Sequence, residues 1–381
     1  MDSAEREGLR PKGNVPNLRF PEFQGEWSVT TLQKDCKVNP TNEKIADKFV
    51  YVDLESVTQG QLNKHQILTK EEAPSRAQRV LHTDDILFQC VRPYQMNNYM
   101  VKDAMSNIQW VASTGYAQIR TQIDYPTFLY YVLNTPKYNK AVMVRCTGSS
   151  YPAINSDDLS KIPFYKCGIA EQRKIATFLS LLDERIATQS KIIDKLQSLI
   201  KGIRNDVFGK LRKNIGFNAV VGDVLYYEQP QSYIVEDAEY TYEGTPVLTA
   251  NKAFVLGYTL ETDGIYDKGD CIIFDDFTLD CKYVDFPFKV KSSAIKILKA
   301  KNKELLRYTF EFLKYLDLST EEHKRHYIAE TQNQEIILPT EQMVKTIAHI
   351  FSTLSLRMET AVKQRNVFEK QKQYLLRQMF I

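Results

Sequence analysis

The sequence has no CxxC pair among its six cysteines (Cys36, Cys90, Cys146, Cys167, Cys271 and Cys281), and its five histidines fall in no ligand motif with them. A structural zinc is therefore excluded as an organising centre, and the cysteines read as reduced, mostly buried thiols of an intracellular protein. No apolar run approaches the roughly 18 residues of a membrane span. Met1 to Asn17 is polar, charged and without the apolar core of a secretion signal. No glycine-rich loop after a strand offers to hold a cofactor. The net charge of +3 on 381 residues is too small to argue for nucleic acid by itself, though it leaves room for local basic surfaces. These absences predict a soluble, cytoplasmic protein with no membrane partner. Hydrophobic residues make up 43% of the chain, with 22 Tyr and 19 Phe, so ordinary cores can form and a disordered protein is excluded.

What the sequence does have is one apolar stripe, written twice. From Ala170 to Phe208, the positions Ile175, Leu179, Leu182, Ile186, Gln189, Ile193, Leu196, Ile200, Ile203 and Val207 step by four and three without a slip. That alternation is the seam of a coiled coil, because 3.5 residues per turn keeps a narrow stripe on a partner helix. Gly202 is the only helix breaker inside it, at about 1 kcal/mol. At roughly 1.5 Å per residue the stretch predicts a rod of about 58 Å. The same stepping returns at Ile347, Phe351, Leu354, Met358, Ala361, Arg365, Phe368, Lys372, Leu375 and Met379, each 172 residues after its counterpart. Glu171-Gln172 also returns as Glu341-Gln342, two residues out of that register. An internal repeat of this length means two copies of one unit, each a globular part followed by a long helix.

The rest of the chain fits that division. Residues 1–17 read as a flexible tail, and Trp27 is expected to pin the start of a first globular domain over 18–163. Short strands are expected at 49–54, 86–90, 108–112 and 116–120, with helix at 128–133 and 138–144. The rod helix over 170–208 is followed by a basic linker, 209–219. A second domain over 220–338 shows strands at 246–248, 271–274, 283–290 and 295–298 and a helix at 307–316. A second rod covers 341–380. The fold class is α+β: two pseudo-repeated domains joined by a long antiparallel two-helix coiled coil. Connectivity places one head at each end with an approximate twofold axis between them. If that axis crosses near Lys191 and Lys363, Gln189 falls opposite Arg365.

Several short stretches carry a family likeness: Leu18-Arg19-Phe20-Pro21 with Trp27, Asp84 to Phe88, Thr147-Gly148-Ser149, Ile162-Pro163, Glu171 to Ile175 and Leu182-Asp183. In the second half they are Pro246 to Thr249, Phe274 to Thr278, Phe286 to Ser293 and Glu341-Gln342. In this order, twice over and each time closed by a heptad helix, they resemble the DNA specificity (S) subunit of type I restriction-modification systems. The resemblance implies that each globular part is a target recognition domain reading one half of a bipartite, asymmetric site in double-stranded DNA. It implies that the helices set the spacing and dock two methyltransferase subunits. Those partners bind S-adenosylmethionine, and restriction/translocase subunits can join. It further implies that this chain is not an enzyme and holds no cofactor itself.

Chemistry was sought in the chain and its candidates are weak. Asn134-Thr135-Pro136-Lys137-Tyr138 resembles the NPPY loop of adenine methyltransferases but lacks the second proline, and the start of a helix is the better reading. Asp280-Cys281-Lys282, with Asp275 and Asp276 upstream, imitates part of a nuclease metal site but falls in a strand hairpin. His323 and His326 flank Lys324 and Arg325, which points to phosphate contact or a solvated loop. For DNA, the first domain offers Arg76, Arg79, Arg92, Tyr94, Gln95, Asn97 and Asn98. The second offers Lys252, Tyr258, Lys282, Lys289, Lys291, Lys324 and Arg325. Arginine suits guanine, asparagine and glutamine suit adenine, and lysine mostly meets phosphate.

Overall fold

The computed structural model describes residues 13–41, 43–102, 108–237, 239–250, 253–318 and 325–381. Among these, five helices have eight or more residues: α1 (Pro126–Leu133), α2 (Pro136–Met143), α3 (Ile169–Asn214), α4 (Lys303–Leu316) and α5 (Glu341–Gln378). The chain divides into two units, Met1–Thr188 with Arg365–Ile381, and Gln189–Gln364. Both α3 and α5 contribute to each unit. Every one of the twenty stepping positions is buried or half-buried.

Helix α3 runs past its expected end at Phe208. Gly209 is open on all sides and costs about 1 kcal/mol, but Phe208 and Leu211 lie one turn apart and are both buried, which outweighs it. The expected linker over 209–219 is therefore helical as far as Asn214. The helix stops where Gly216 takes φ +76°, a conformation that suits glycine, with its N–H turned back to the Leu211 carbonyl.

In unit 1 one four-stranded sheet has the order Gln66–Thr69, Lys48–Val52, Gln109–Ser113, Ala77–Leu81, with its central pair parallel. A second, antiparallel sheet has the order Cys36–Val38, Tyr116–Thr121, Ile86–Gln89, Tyr99–Met100. The two enclose Val50, Val52, Leu81, Leu87, Trp110 and Tyr116. The other face of the second sheet carries α1 and α2, which pack on Ile175, Leu179 and Leu182 of α3 and on Leu375, Leu376 and Met379. A ribbon pairs Ser28–Thr31 with Pro163–Lys166, so the chain between the expected domain end at 163 and the rod forms a last strand before α3. Trp27 is buried edge-on to Phe128 and Phe380, 5.9 and 6.2 Å away. The described end of the expected tail is held down as well. Trp27 N–H donates to the Asn14 carbonyl and Leu18 N–H to that of Gln378, while the Asn17 amide donates to the Gln378 side chain. Residues 1–12 lie outside the described residues.

Unit 2 uses the same parts. Its antiparallel sheet has the order Leu225–Glu228, Ile295–Ala300, Cys271–Asp275, Cys281–Val284, and a three-stranded sheet joins Val255–Thr259, Thr245–Leu248 and Lys289–Val290, the last pair parallel. Ala219–Val220 pairs with Glu335–Ile336 as the closing ribbon. The single strand expected over 283–290 is thus two strands in two sheets. Pro287 has no N–H to donate to a ladder, and the chain leaves the first sheet before it. Leu306, Phe312 and Leu313 of α4 pack on Ile272, Phe274 and Leu298, and on Phe208, Ile347 and Phe351 from α3 and α5.

A polar junction in each unit ties a short helix to both long ones. In unit 1 the Tyr131 hydroxyl of α1 donates to Asp183 Oδ2 at 2.7 Å, and Lys372 of α5 pairs with Asp183 Oδ1. In unit 2 Glu311 of α4, 1% exposed at its side chain, takes Arg204 of α3 at 2.6 Å and Arg307 of α4 at 2.8 Å. Arg307 also donates to Ser355 and to the Phe351 carbonyl on α5. Asp183 and Ser355 are 172 residues apart and hold equivalent places in the stepping pattern. Removing the carboxylate that two guanidiniums share leaves both charges desolvated and unpaired. Glu311→Ala is expected to cost about 3–5 kcal/mol. The loss is read as lower hydrogen-exchange protection of 220–338 with that of 26–166 unchanged, and a change under about 1 kcal/mol contradicts the shared role.

Candidate nucleic-acid interface

The clearest cluster in unit 1 is the turn between strands Ile86–Gln89 and Tyr99–Met100. Arg92 and Met96 both take left-handed backbone conformations (φ 55° and 53°) around the short 3-10 turn Pro93–Gln95. Side chains inside the turn hold it. Gln89 N–H donates to Asn98 Oδ1 at 2.8 Å, Asn98 Nδ2 donates to Asn134 Oδ1 at 3.2 Å, and Gln89 Nε2 donates to Gln95 Oε1 at 2.8 Å. Asn97 Oδ1 accepts from the Gln59 N–H at 3.0 Å. Asn98 is 2% exposed, so it is a strut and not the reader of bases its residue type suggested. Asn97 likewise spends its oxygen on the backbone. Arg92, Tyr94 and Gln95 remain at the surface.

A second turn completes this cluster. Arg92 N–H donates to the Pro152 carbonyl at 2.7 Å and Ile154 N–H to the Cys90 carbonyl at 3.0 Å. The Arg92 guanidinium sits over the Tyr151 ring, 4.5 Å from its centre, and Tyr151 is 63% exposed. Tyr151 is not among the candidates the sequence offers, although Thr147-Gly148-Ser149 just before it is part of the family likeness. The available signal was an aromatic residue directly after Gly148-Ser149-Ser150, where a core role was improbable on the polar flank. The two other candidates lie on or beside strand Ala77–Leu81. Arg76 is exposed, and Arg79, opposite Ala112, is half-buried.

In unit 2 Lys252 and Lys324 lie outside the described residues. Lys289 is a correction: it is 3% exposed, pairs with Glu261 at 2.6 Å and donates to the Asp263 carbonyl at 2.7 Å, so its charge is spent inside. Tyr258 and Lys282 are half-buried on strands, and Lys291 is exposed. Arg325 is exposed, lies over the Phe277 ring at 5.9 Å and reaches Ser293 Oγ at 3.4 Å. Phe277, which sequence reasoning did not single out, stands in the turn after strand Cys271–Asp275. Each unit therefore places an arginine over an aromatic ring beside the turn after the same strand of its antiparallel sheet, but the turn supplies the arginine in unit 1 and the ring in unit 2. Guanidinium and ring faces together suit phosphate and base contacts.

The carboxylates that imitated a nuclease site have other work. Asp275 Oδ1 accepts the N–H groups of Phe277 and Thr278, and Asp276 Oδ1 those of His326 and Tyr327. Lys296 stands 3.7 Å from Asp276, and Lys314 3.4 Å from Asp280. No group of three metal-binding side chains occurs among the described residues. His326 is 1% exposed with Nδ1 2.8 Å from Glu330, so it is neither a phosphate contact nor part of a solvated loop. His323 lies outside the described residues. Thr135 caps α2 by accepting the Tyr138 N–H, and Asn134 is held by Tyr130 and Asn98, a helix start as expected.

Residues 26–198 match the family model of the type I restriction modification DNA specificity domain. That stretch of the chain carries a specificity domain of this family. It is 46% identical over 127 residues to the type I restriction enzyme EcoR124I/EcoR124II specificity subunit of Escherichia coli, a match that spans only 31% of either protein. Two solved structures share its fold. One is the S subunit of a type I restriction-modification system from M. genitalium (15% identity, TM-score 0.68, covering 96% of this chain and 99% of that one). The other comes from work on complex assembly and conformational transition of the type I R-M system (19% identity, TM-score 0.51, 92% and 96%). No helix among the described residues is long and apolar enough to cross a membrane.

Struts and surface groups in this specificity domain are expected to respond differently to substitution. Asn98→Ala leaves two buried partners unsatisfied and should cost about 1–3 kcal/mol of stability. Tyr94→Ala should leave thermal melting unchanged and weaken retention of duplex DNA in a gel shift. The opposite pattern would reverse the two assignments.

Proposed function

We propose that the chain is the non-catalytic DNA specificity subunit of a type I restriction-modification complex. The observation that carries this is the specificity-domain match over residues 26–198, and an arginine over an aromatic ring beside the corresponding turn of each unit accords with it. In this reading, target recognition domains over 18–163 and 220–338 each read one half of a bipartite, asymmetric site in double-stranded DNA. Methyltransferase subunits supply the chemistry and bind S-adenosylmethionine, and restriction/translocase subunits join them.

The long helices are read as an antiparallel two-helix coiled coil that spaces the domains. Two contacts support that register. Asp183 meets Lys372 in unit 1 and Arg204 lies over Phe351 in unit 2, and the residue numbers in each pair add to 555. Arg185 over Phe368 follows the same descending order. Outside the seam the helices expose Leu181, Leu199, Leu356, Val367 and Tyr374, each between 49% and 64% exposed. Apolar residues left on the outer faces of charged helices suit the docking of two methyltransferase subunits.

The test is reconstitution with methyltransferase subunits and S-adenosylmethionine, followed by sequencing of the methylated positions. A bipartite methylated site is the expected result. Methylation or cleavage by this chain alone, with S-adenosylmethionine or magnesium, would overturn the non-catalytic assignment. Exchanging 220–338 for another such domain should change one half-site and leave the other. Lengthening both helices by four residues adds roughly 6 Å to each, and with DNA rising about 3.4 Å per base pair the spacer should grow by one or two base pairs. Unchanged spacing in a folded, active variant would show that the helices do not act as the ruler.

A further inference from the structure

A cation taken out of water needs a compensating charge. Among the described residues, every buried or half-buried lysine and arginine lies within 4 Å of a carboxylate except three: Arg79, Arg92 and Lys282. Arg92 has the Tyr151 ring beneath it. Lys282 is a flexible ammonium with no buried, unsatisfied nitrogen. Arg79 differs from both. Its Nε is buried with no acceptor, and neither a carboxylate nor an aromatic ring faces it.

The surroundings of Arg79 do not repair this. Burial pulls its pKa below the ordinary arginine value. Its near ionisable neighbour, Cys90, is a thiol that burial pushes up to about 12, so it stays neutral and offers no counter-charge. The residue is also rigidly placed. It sits mid-strand opposite Ala112, and the next residue, Val80, gives its carbonyl to the Gln118 side chain at 2.8 Å. Cys90 stands at the end of strand Ile86–Gln89, on the segment that leads into the turn carrying Arg92 and Tyr94. A fork of donors on a rigid strand, half-desolvated and without an acceptor of its own, is prepared for an acceptor that arrives from outside.

We propose that Arg79 is a specificity-determining residue of unit 1, whose guanidinium donates to the O6 and N7 acceptors of a guanine in the half-site that this unit reads. The inference rests on the DNA-specificity reading above. Two parallel acceptors on one base edge match the planar fork of an arginine rooted in a strand. A phosphate would be served equally by a flexible, exposed side chain, and Arg76 already provides one three residues away.

The experiment compares wild type with Arg79→Lys and Arg79→Gln in the complete complex with methyltransferase subunits. Methylation is read on a DNA library randomised across both half-sites. Both variants should lose preference for guanine at one position of one half-site by about tenfold or more, with the other half-site unchanged. Both should also melt at or above the wild-type temperature, because an uncompensated charge has been moved or removed. Unchanged preference at every position overturns the proposal. So does a uniform loss on all sequences with the salt slope reduced by about one, which marks a phosphate contact. A clear fall in melting temperature overturns it too, since Arg79 would then be part of the fold's own support. If the wild-type complex selects no bipartite sequence at all, the specificity reading itself fails, a result distinct from selective wild type with indifferent variants.

Discussion

The structure depends on one constraint: an apolar stripe along a helix of 46 residues must be covered by another helix of the same chain. The stripe is narrow, so only a helix stepping by the same four and three fits it, and α5 is that helix. Covering the stripe does more than bury side chains. It brings residues 372–379 onto 175–183 in unit 1 and residues 344–351 onto 200–211 in unit 2. Each short helix, α1 or α4, then finds two long helices side by side and packs across both. The antiparallel sheet lies on the far side of that short helix, and the turns that carry Arg92 and Phe277 hang from the sheet. A surface turn is thereby fixed through three layers to the helix pair.

The junctions show how the fixing is made specific. Apolar packing alone tolerates sliding and rotation, whereas a carboxylate shared between two donors from different helices does not. Asp183 gathers Tyr131 and Lys372, and Glu311 gathers Arg204 and Arg307. The chemistry is not repeated between units, though the place is. The aspartate of one unit sits on the long helix and the glutamate of the other sits on the short one. Divergent side chains have settled the same geometric problem at equivalent positions, which is why the domain bodies share a plan and few identities.

Much of this was legible in the sequence for a physical reason. Four-three stepping is a local pattern with a single structural meaning over ten positions, and it needs no tertiary knowledge. Strands such as 86–90 and 271–274 were visible because central strands buried on both faces are continuous apolar runs. What was not legible was the use of polar residues. Asn98 and Tyr94 look alike as candidates, but one is pinned by Gln89 and Asn134 and the other is free at the surface. Lys289 looked like a phosphate contact until Glu261, 28 residues earlier, was found against it. Whether a charge is available depends on what the fold brings to it, and spacing carries no trace of that. The end of α3 was missed for a related reason: Gly209 reads as a break unless Phe208 and Leu211 are known to be buried.

The same lesson applies to the dipeptide that helped reveal the repeat. Glu171 and Gln172 are buried at 3% and 2%. Glu171 takes the Arg19 fork in two bonds of 2.7 Å, while Gln172 accepts the Tyr125 N–H and donates to Asp124 and the Cys167 carbonyl. Glu341 and Gln342 are exposed, and Glu341 pairs only with Lys345 one turn on. In unit 1 the segment before Trp27 also crosses the start of α3, with Arg19 on Glu171 and Phe20 against Phe178. Nothing precedes α5 in that role among the described residues of unit 2. The second pair stands two residues early in the 172-residue register, so buried Val344, and not Gln342, falls where Gln172 does, and the same dipeptide is a buried clasp in one unit and a solvated helix start in the other. The repeat carries over the backbone plan, and what the side chains do is decided separately in each unit.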